Sequence, residues 1–358
     1  MANFSGYIGT YTEGSGGKAK GIYGFSMNSE TGVIEDIRLA AERVNPSYLA
    51  LSPSKKNLYA VNEVGGSSGA VSAFSVDKDG SLTLLNDKSS GGAGPCHVVI
   101  HKDGALAVVA NYSGGVIAAL PIDKKGLLGD PIQILQYEGT GPNTGRQEKA
   151  HAHSFTFSPD FKNGFACDLG SDKVMCYSFD KKSDKPLVPW KVPFMSAKPG
   201  HGPRHGVFHP SGEFAYVLNE LESTVDVFKF TNDGAKGDGP KFEKLQNISA
   251  LPKGKKIDSI AAAIRISVDG KFLYASNRGH ESIAVFKVLK TGLLEFIDAV
   301  PSGGISPRDF ILDPSGNFLL ALHQRSDNLV VFKVNRKTGL LKKEREYTVL
   351  SPVSVIFR

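Results

Sequence analysis

The feature that most restricts the fold is internal repetition. "NPSYLALSPSKKNLYAVNE" begins at position 45, and similar stretches begin at 94, 150, 202, 260 and 306. A seventh, "SPVSVIFR", begins at 351 and stops at the C-terminus. Its continuation stands at the other end of the chain. "SGYIGTYTEGSGGKAKGIYGFSMNSETGVIED" carries a second, third and fourth strand pattern without a first. Each repeat has two alternating apolar segments around a turn, a third such as "STVDVFKF", and often "TGLL" before a fourth. Four short strands per repeat at this period predict a β-propeller. The fold class is therefore all-β: one domain over residues 1–358, seven blades, one of them closed by N- and C-terminal strands so that no sheet edge is left open there. A β-sandwich array does not account for a split terminal repeat.

Composition narrows the functional classes. The formal charge is +6 over 358 residues, and the densest basic cluster is Lys253, Lys255 and Lys256. That is too little for a nucleic-acid footprint, but it suits a small anionic partner. No stretch approaches the roughly 20 apolar residues of a membrane-spanning helix. Cys96, Cys167 and Cys176 form no CxxC pair, so neither a disulfide framework nor a zinc cage is expected. No secretion signal is visible, and the expected compartment is the cytoplasm. The expected assembly is a monomer or homodimer.

Aligning the repeats produces a candidate site. Pro46, Pro95, Ala152, Pro203, Ala261, Pro307 and Pro352 share a column, and the next column reads Ser47, Cys96, His153, Arg204, Ala262, Arg308 and Val353. The ends of the second strands align at Thr10, Asn62, Asn111, Asp168, Asn219, Asn277 and His323; Tyr11, Glu63, Tyr112, Leu169, Glu220, Arg278 and Gln324 follow. The start of one strand lies beside the end of its antiparallel neighbour, so both columns converge on one mouth of the central channel. Several blades carry Ser, Cys, Ala or Val in the ring column, so the architecture itself does not demand charge there. His153, Arg204, Arg308, Arg278, Glu220, Glu63 and Tyr11 are the resulting cluster, with Asn219 and His205 beside it. The loop "GTGPNTGRQEKAHAH" is longer than its counterparts and adds Arg146, Gln147 and His151. "HAH" alone is a poor metal site, since catalytic metals need about three protein ligands. No metal and no cofactor is expected, and no GxSxG elbow or P-loop is present.

"GPRHGVFHPSGEFAYVLNELESTVDVFKF", "RQEKAHAHSFTFSPD", "SPRDFILDPSG" and the opening "YIGTYT" resemble the seven-bladed propeller lactonase family over essentially the whole chain. The resemblance implies hydrolysis of 6-phosphogluconolactone, a step of the pentose phosphate pathway. It places the family's acting His, Arg, Glu and second Arg on His153, Arg204, Glu220 and Arg278. Tyr11, Glu63, Arg146, Gln147, His151, His205, Asn219, Arg308 and Gln324 are then candidate substrate contacts. His151, His153 and Glu220 all stay open as the base. A fungal carboxymuconate cyclase resembles the same family, so another anionic lactone or a cycloisomerisation is the alternative. A non-catalytic propeller that binds a protein partner is the third reading.

Overall fold

The computed structural model describes residues 3–66, 69–233, 239–254 and 257–358, so Lys255 and Lys256 of the basic loop lie outside the described residues. Among these, 28 strands form seven four-stranded antiparallel sheets. Blade 1 opens with Leu49–Leu51, blade 2 with Pro95–Ile100, blade 3 with Ala152–Phe157, blade 4 with Pro203–Phe208, blade 5 with Ile260–Ile266 and blade 6 with Pro307–Leu312. Blade 7 joins Pro352–Phe357 to Asn3–Thr10, Gly21–Asn28 and Ile34–Glu42. Each first strand packs against the first strands of both neighbouring blades, and Pro352–Phe357 meets Leu49–Leu51. The ring is closed and its first strands line the channel. Both the seven blades and the split closing blade agree with the repeat pattern.

Apolar alternation places the core between blades rather than at one centre. Seven buried clusters each join two neighbours, for example Tyr59, Val61 and Val109 across blades 1 and 2, or Ile264, Ala275 and Val227 across blades 5 and 4. A polar latch recurs on top of this packing. The residue three places before the end of a second strand is Tyr7, Tyr59, Tyr216 or Tyr274 in four blades. Each hydroxyl donates to the carbonyl of a turn glycine in the next blade: Gly80, Gly126, Gly292 and Gly339, at 3.0, 3.1, 3.0 and 2.9 Å. Those four glycines have φ between +76° and +89°, a conformation that L side chains rarely adopt. Phe165 takes the same place in blade 3 and packs instead on Phe208 and Phe242 of blade 4.

Closure is tight. Gly6 pairs with Phe357, and a Cβ there would sit 2.4 Å from the Ile356 carbonyl and 2.6 Å from the Phe25 ring. Gly6→Ala is therefore expected to destabilise the fold by about 1–3 kcal/mol, the usual range for overpacking. A lowered denaturant midpoint checks it. An unchanged midpoint would mean that the closing strand has slack.

Candidate active site

The ring residues owe their position to a backbone irregularity. In blade 3 Ala152 pairs with Asp168 and Ser154 with Cys167, so His153 is skipped. In blade 4 Pro203 pairs with Asn219 and His205 with Leu218, which skips Arg204. Blade 6 skips Arg308 and blade 2 skips Cys96 in the same way. The extra residue of a β-bulge leaves the ladder and its side chain is re-aimed. Repeated at the head of the first strand, the bulge brings a set of side chains from different blades to one mouth.

Glu220 is the hub on one side of that mouth. It follows the second strand of blade 4, with its backbone N–H donating to the Gly202 carbonyl at 2.7 Å. Its Oε2 lies 2.7 Å from Arg204 Nε, 3.0 Å from Arg278 Nη2 and 3.9 Å from His153 Nε2. Its Oε1 accepts from Arg146 Nη2 at 2.5 Å. The Arg204 Nε contact is off the axis that a hydrogen bond needs, so there it is charge rather than alignment that binds the pair. Arg204 and Arg278 are further tied by donating to the backbone carbonyls of Ala262 and Ala261. Burial alone would raise the Glu220 pKa; Arg278, Arg204 and Arg146 outweigh it and hold the carboxyl far below the usual carboxylate range. Burial and the neighbouring guanidinium groups bring Arg278 down to about 10, although Glu220 opposes the shift. His153 is lowered well below its ordinary value, first by burial and then by Arg204, so its imidazole is neutral at pH 7.

A second hub stands opposite. Glu63 Oε2 accepts from the Tyr11 hydroxyl at 2.8 Å and from Ser47 at 2.5 Å, and Arg308 Nη2 donates to Tyr11 at 2.7 Å. The Arg308 guanidinium also lies 5.2 Å from the Tyr11 ring centroid. Together the two hubs gather Tyr11, Glu63, Arg146, His153, Arg204, Glu220, Arg278 and Arg308. His151 is turned to other partners. It stacks on Tyr112 at 4.3 Å, with Nδ1 3.0 Å from the Tyr112 carbonyl and Nε2 3.1 Å from Glu148. Gln147 is fully buried and bonds only within its own surroundings. Gln324 donates to the Ser15 carbonyl, and Asn219 to Thr224. His205 lies below the ring, where its imidazole meets those of His153 and His97 and the Tyr48 ring. Burial, Arg265 and Arg204 bring His97 down to about 3. A half-buried Arg265 paired with buried Asp309 at 2.8 Å continues the column below.

Tyr112, Ser47 and Cys96 belong to the same setting and were not among the chosen candidates. Tyr112 accepts from Arg146 and edges onto His153; Cys96 Sγ is 3.8 Å from His153 Nδ1. All three stand in the two aligned columns, so the column was the signal and neutrality hid them. A concavity of about 660 Å³ is elsewhere. It lies on the outer rim around Trp190, Phe194 and Phe242 and is not continuous with the ring residues. Among the described residues no group of three or more His, Cys, Asp or Glu could hold a metal ion. What remains is a neutral imidazole beside a carboxylate inside a surplus of positive charge. That arrangement can activate water and receive an anion.

Comparison with known proteins agrees with this chemistry. A family model described as "Lactonase, 7-bladed beta-propeller" matches residues 5–357. The chain is 37% identical to a 6-phosphogluconolactonase of Bacillus subtilis over 343 residues, 95% of this chain and 94% of that protein. It is 36% identical to a 6-phosphogluconolactonase of Formosa agariphila over 343 residues, covering 94% of each. The structure of a periplasmic gluconolactonase from Pseudomonas aeruginosa superposes with a TM-score of 0.91 at 31% identity over 99% of both chains.

Glu220→Gln keeps the shape and removes the charge that three arginines share. It is expected to cost about 3–5 kcal/mol, the range for breaking a buried pair. The folded pKa is depressed, so the wild-type advantage is complete above the unfolded value of roughly 4.3 and is lost as pH falls through the folded value. Denaturant midpoints of the two proteins should differ by a constant amount from neutral pH down to about 5, and converge only in stronger acid. Equal midpoints at pH 7 would contradict the hub.

Proposed function

The chain belongs to the lactonase family of seven-bladed β-propellers, and on that premise we propose that it hydrolyses 6-phosphoglucono-δ-lactone to 6-phosphogluconate for the pentose phosphate pathway. The observation that carries this reading is the charge balance of the mouth. Arg146, Arg204, Arg278 and Arg308 gather around Glu220 and Glu63, next to the neutral His153, while Asp309 below is paired with Arg265. A lactone needs a water, a base and positive charge at its carbonyl oxygen. A phosphorylated one adds a dianion that guanidinium groups hold well.

In this reading His153 Nε2 is the base. It takes a proton from water while the water oxygen attacks the lactone carbonyl carbon. The resulting oxyanion is met by the guanidinium of Arg204 or Arg278. The bond from that carbon to the ring oxygen then breaks, and the leaving oxygen recovers the proton from His153. Glu220 is too weak a base for the first step because three arginines hold it ionised. It steadies the imidazolium that forms 3.9 Å away. Similarity to the Pseudomonas aeruginosa gluconolactonase favours a second reading, in which the substrate is the unphosphorylated lactone. The cytoplasm is the compartment proposed for the first reading, and the three buried free cysteines are compatible with it.

Turnover of freshly prepared 6-phosphogluconolactone against gluconolactone decides between the two; failure to hydrolyse either sinks both. His153→Ala is expected to lower kcat by roughly 10²–10⁴-fold. The base must be neutral to act and its pKa lies below the ordinary 6.5, so the acid limb of kcat/KM should have its midpoint below pH 6.5. A midpoint above 7 would remove His153 from the role. Activity should also survive exhaustive chelation; loss on chelation with recovery on adding zinc or calcium would show a metal that the donor set does not suggest.

A further inference from the structure

The three residues Arg146, Gln147 and Glu148 stand together in the loop before blade 3, yet they have three destinations. Arg146 reaches into the mouth, where Nη2 donates to Glu220 Oε1 and to the Tyr112 hydroxyl at 3.4 Å. Glu148 turns to His151. Gln147 goes down into the protein and is fully buried. Its side-chain N–H donates to the Leu169 carbonyl at 2.8 Å, its side-chain oxygen accepts from the Asn143 N–H, and its own carbonyl accepts from Gly141 N–H at 3.0 Å. Leu169 directly follows the second strand of blade 3, Asn163–Asp168. Gln147 therefore ties the loop to the blade at the residue next to Arg146.

The four guanidinium groups differ in what is left of them. Arg204 and Arg278 are nearly enclosed and divide their donors between Glu220 and backbone carbonyls. Arg308 likewise bonds through Nη2 alone, to the Tyr11 hydroxyl, but its guanidinium lies against the Tyr11 ring. The Arg146 side chain is 36% exposed, and among the described residues only its Nη2 has a protein partner. Its Nε and Nη1 donors remain for a ligand, and a guanidinium with an open edge binds a phosphate oxygen pair bidentately.

We infer that Arg146 is the arm that grips the remote phosphate of the substrate, and that Gln147 is the positioning residue that holds this arm in the mouth. Glu220 is the resting partner of Arg146, and an incoming dianion shares or replaces it. The inference rests on the lactonase reading and adds which residue sets preference for the phosphorylated lactone.

The test is the ratio of kcat/KM on 6-phosphogluconolactone to kcat/KM on gluconolactone. Arg146→Ala should lower that ratio by roughly 10–100-fold, chiefly through KM of the phosphorylated substrate. Arg146→Lys, which keeps the charge but not the fork, should recover only part. Gln147→Ala should move the ratio in the same direction by less. The double variant should be no worse than Arg146→Ala, because a residue acting through another gives no additive loss. Equal losses on both lactones, or additive losses in the double variant, overturn the inference. If wild type hydrolyses neither lactone, the functional reading itself has failed, and the ratio is not what failed.

Discussion

One residue too many at the head of the inner strand is the constraint on which the site depends. A regular ladder would send alternate side chains into the channel and into the blade, and the ring would be a smooth apolar bore. The bulge after Pro95, Ala152, Pro203 and Pro307 releases one residue from that alternation in each blade. The released residue is Cys96, His153, Arg204 or Arg308, so the same backbone device presents different chemistry at each station. A proline precedes the released residue in three of these four blades and suits the position because the ladder there is ending and a lost donor costs little.

Charge then decides how the stations are used. Four arginines are brought to a mouth with two carboxylates, and burial would normally penalise every one of these ions. The cost is offset by distributing a single carboxylate: Glu220 serves Arg204 and Arg278 through one oxygen and Arg146 through the other. This sharing separates the roles of the two groups that can titrate. The carboxylate is fixed in its ionised state, while the imidazole beside it is kept neutral. Below them the rings of His205, His97 and Tyr48 pack on one another, with His205 edge-on to the His153 ring, so the mouth has an aromatic floor.

The blade count, the split blade and the converging columns were legible because repeats expose them without any knowledge of packing. Tyr11, Glu63, Arg204, Glu220, Arg278 and Arg308 could be placed at one mouth from alignment alone. The bulge could not, since a skipped residue leaves the same letters as a paired one. The choice between His151 and His153 had the same obstacle: two histidines one residue apart look equivalent until the skipped position sends one toward Glu220 and leaves the other stacked on Tyr112. The tyrosine latches were in the repeats too, but a tyrosine in a strand reads as core, and its carbonyl partner lies in the next blade. Gln147 shows the opposite error of scale. A polar residue in a long loop reads as a ligand contact, while its buried amide ties the loop to blade 3.

The hydrogen bond from Arg308 to Tyr11 links positions 297 apart in sequence, across the seam where the ring closes. One hub of the mouth therefore has no existence in any partly built array of blades. During synthesis the chain emerges with Tyr11 early and Arg308 late, and the strand Pro352–Phe357 that draws them together emerges later still. Until that strand docks, the newborn protein is a row of blades with an incomplete basin. The second hub and ring closure thus arrive as one event, and an assembled hub is at the same time a report that the circle is complete.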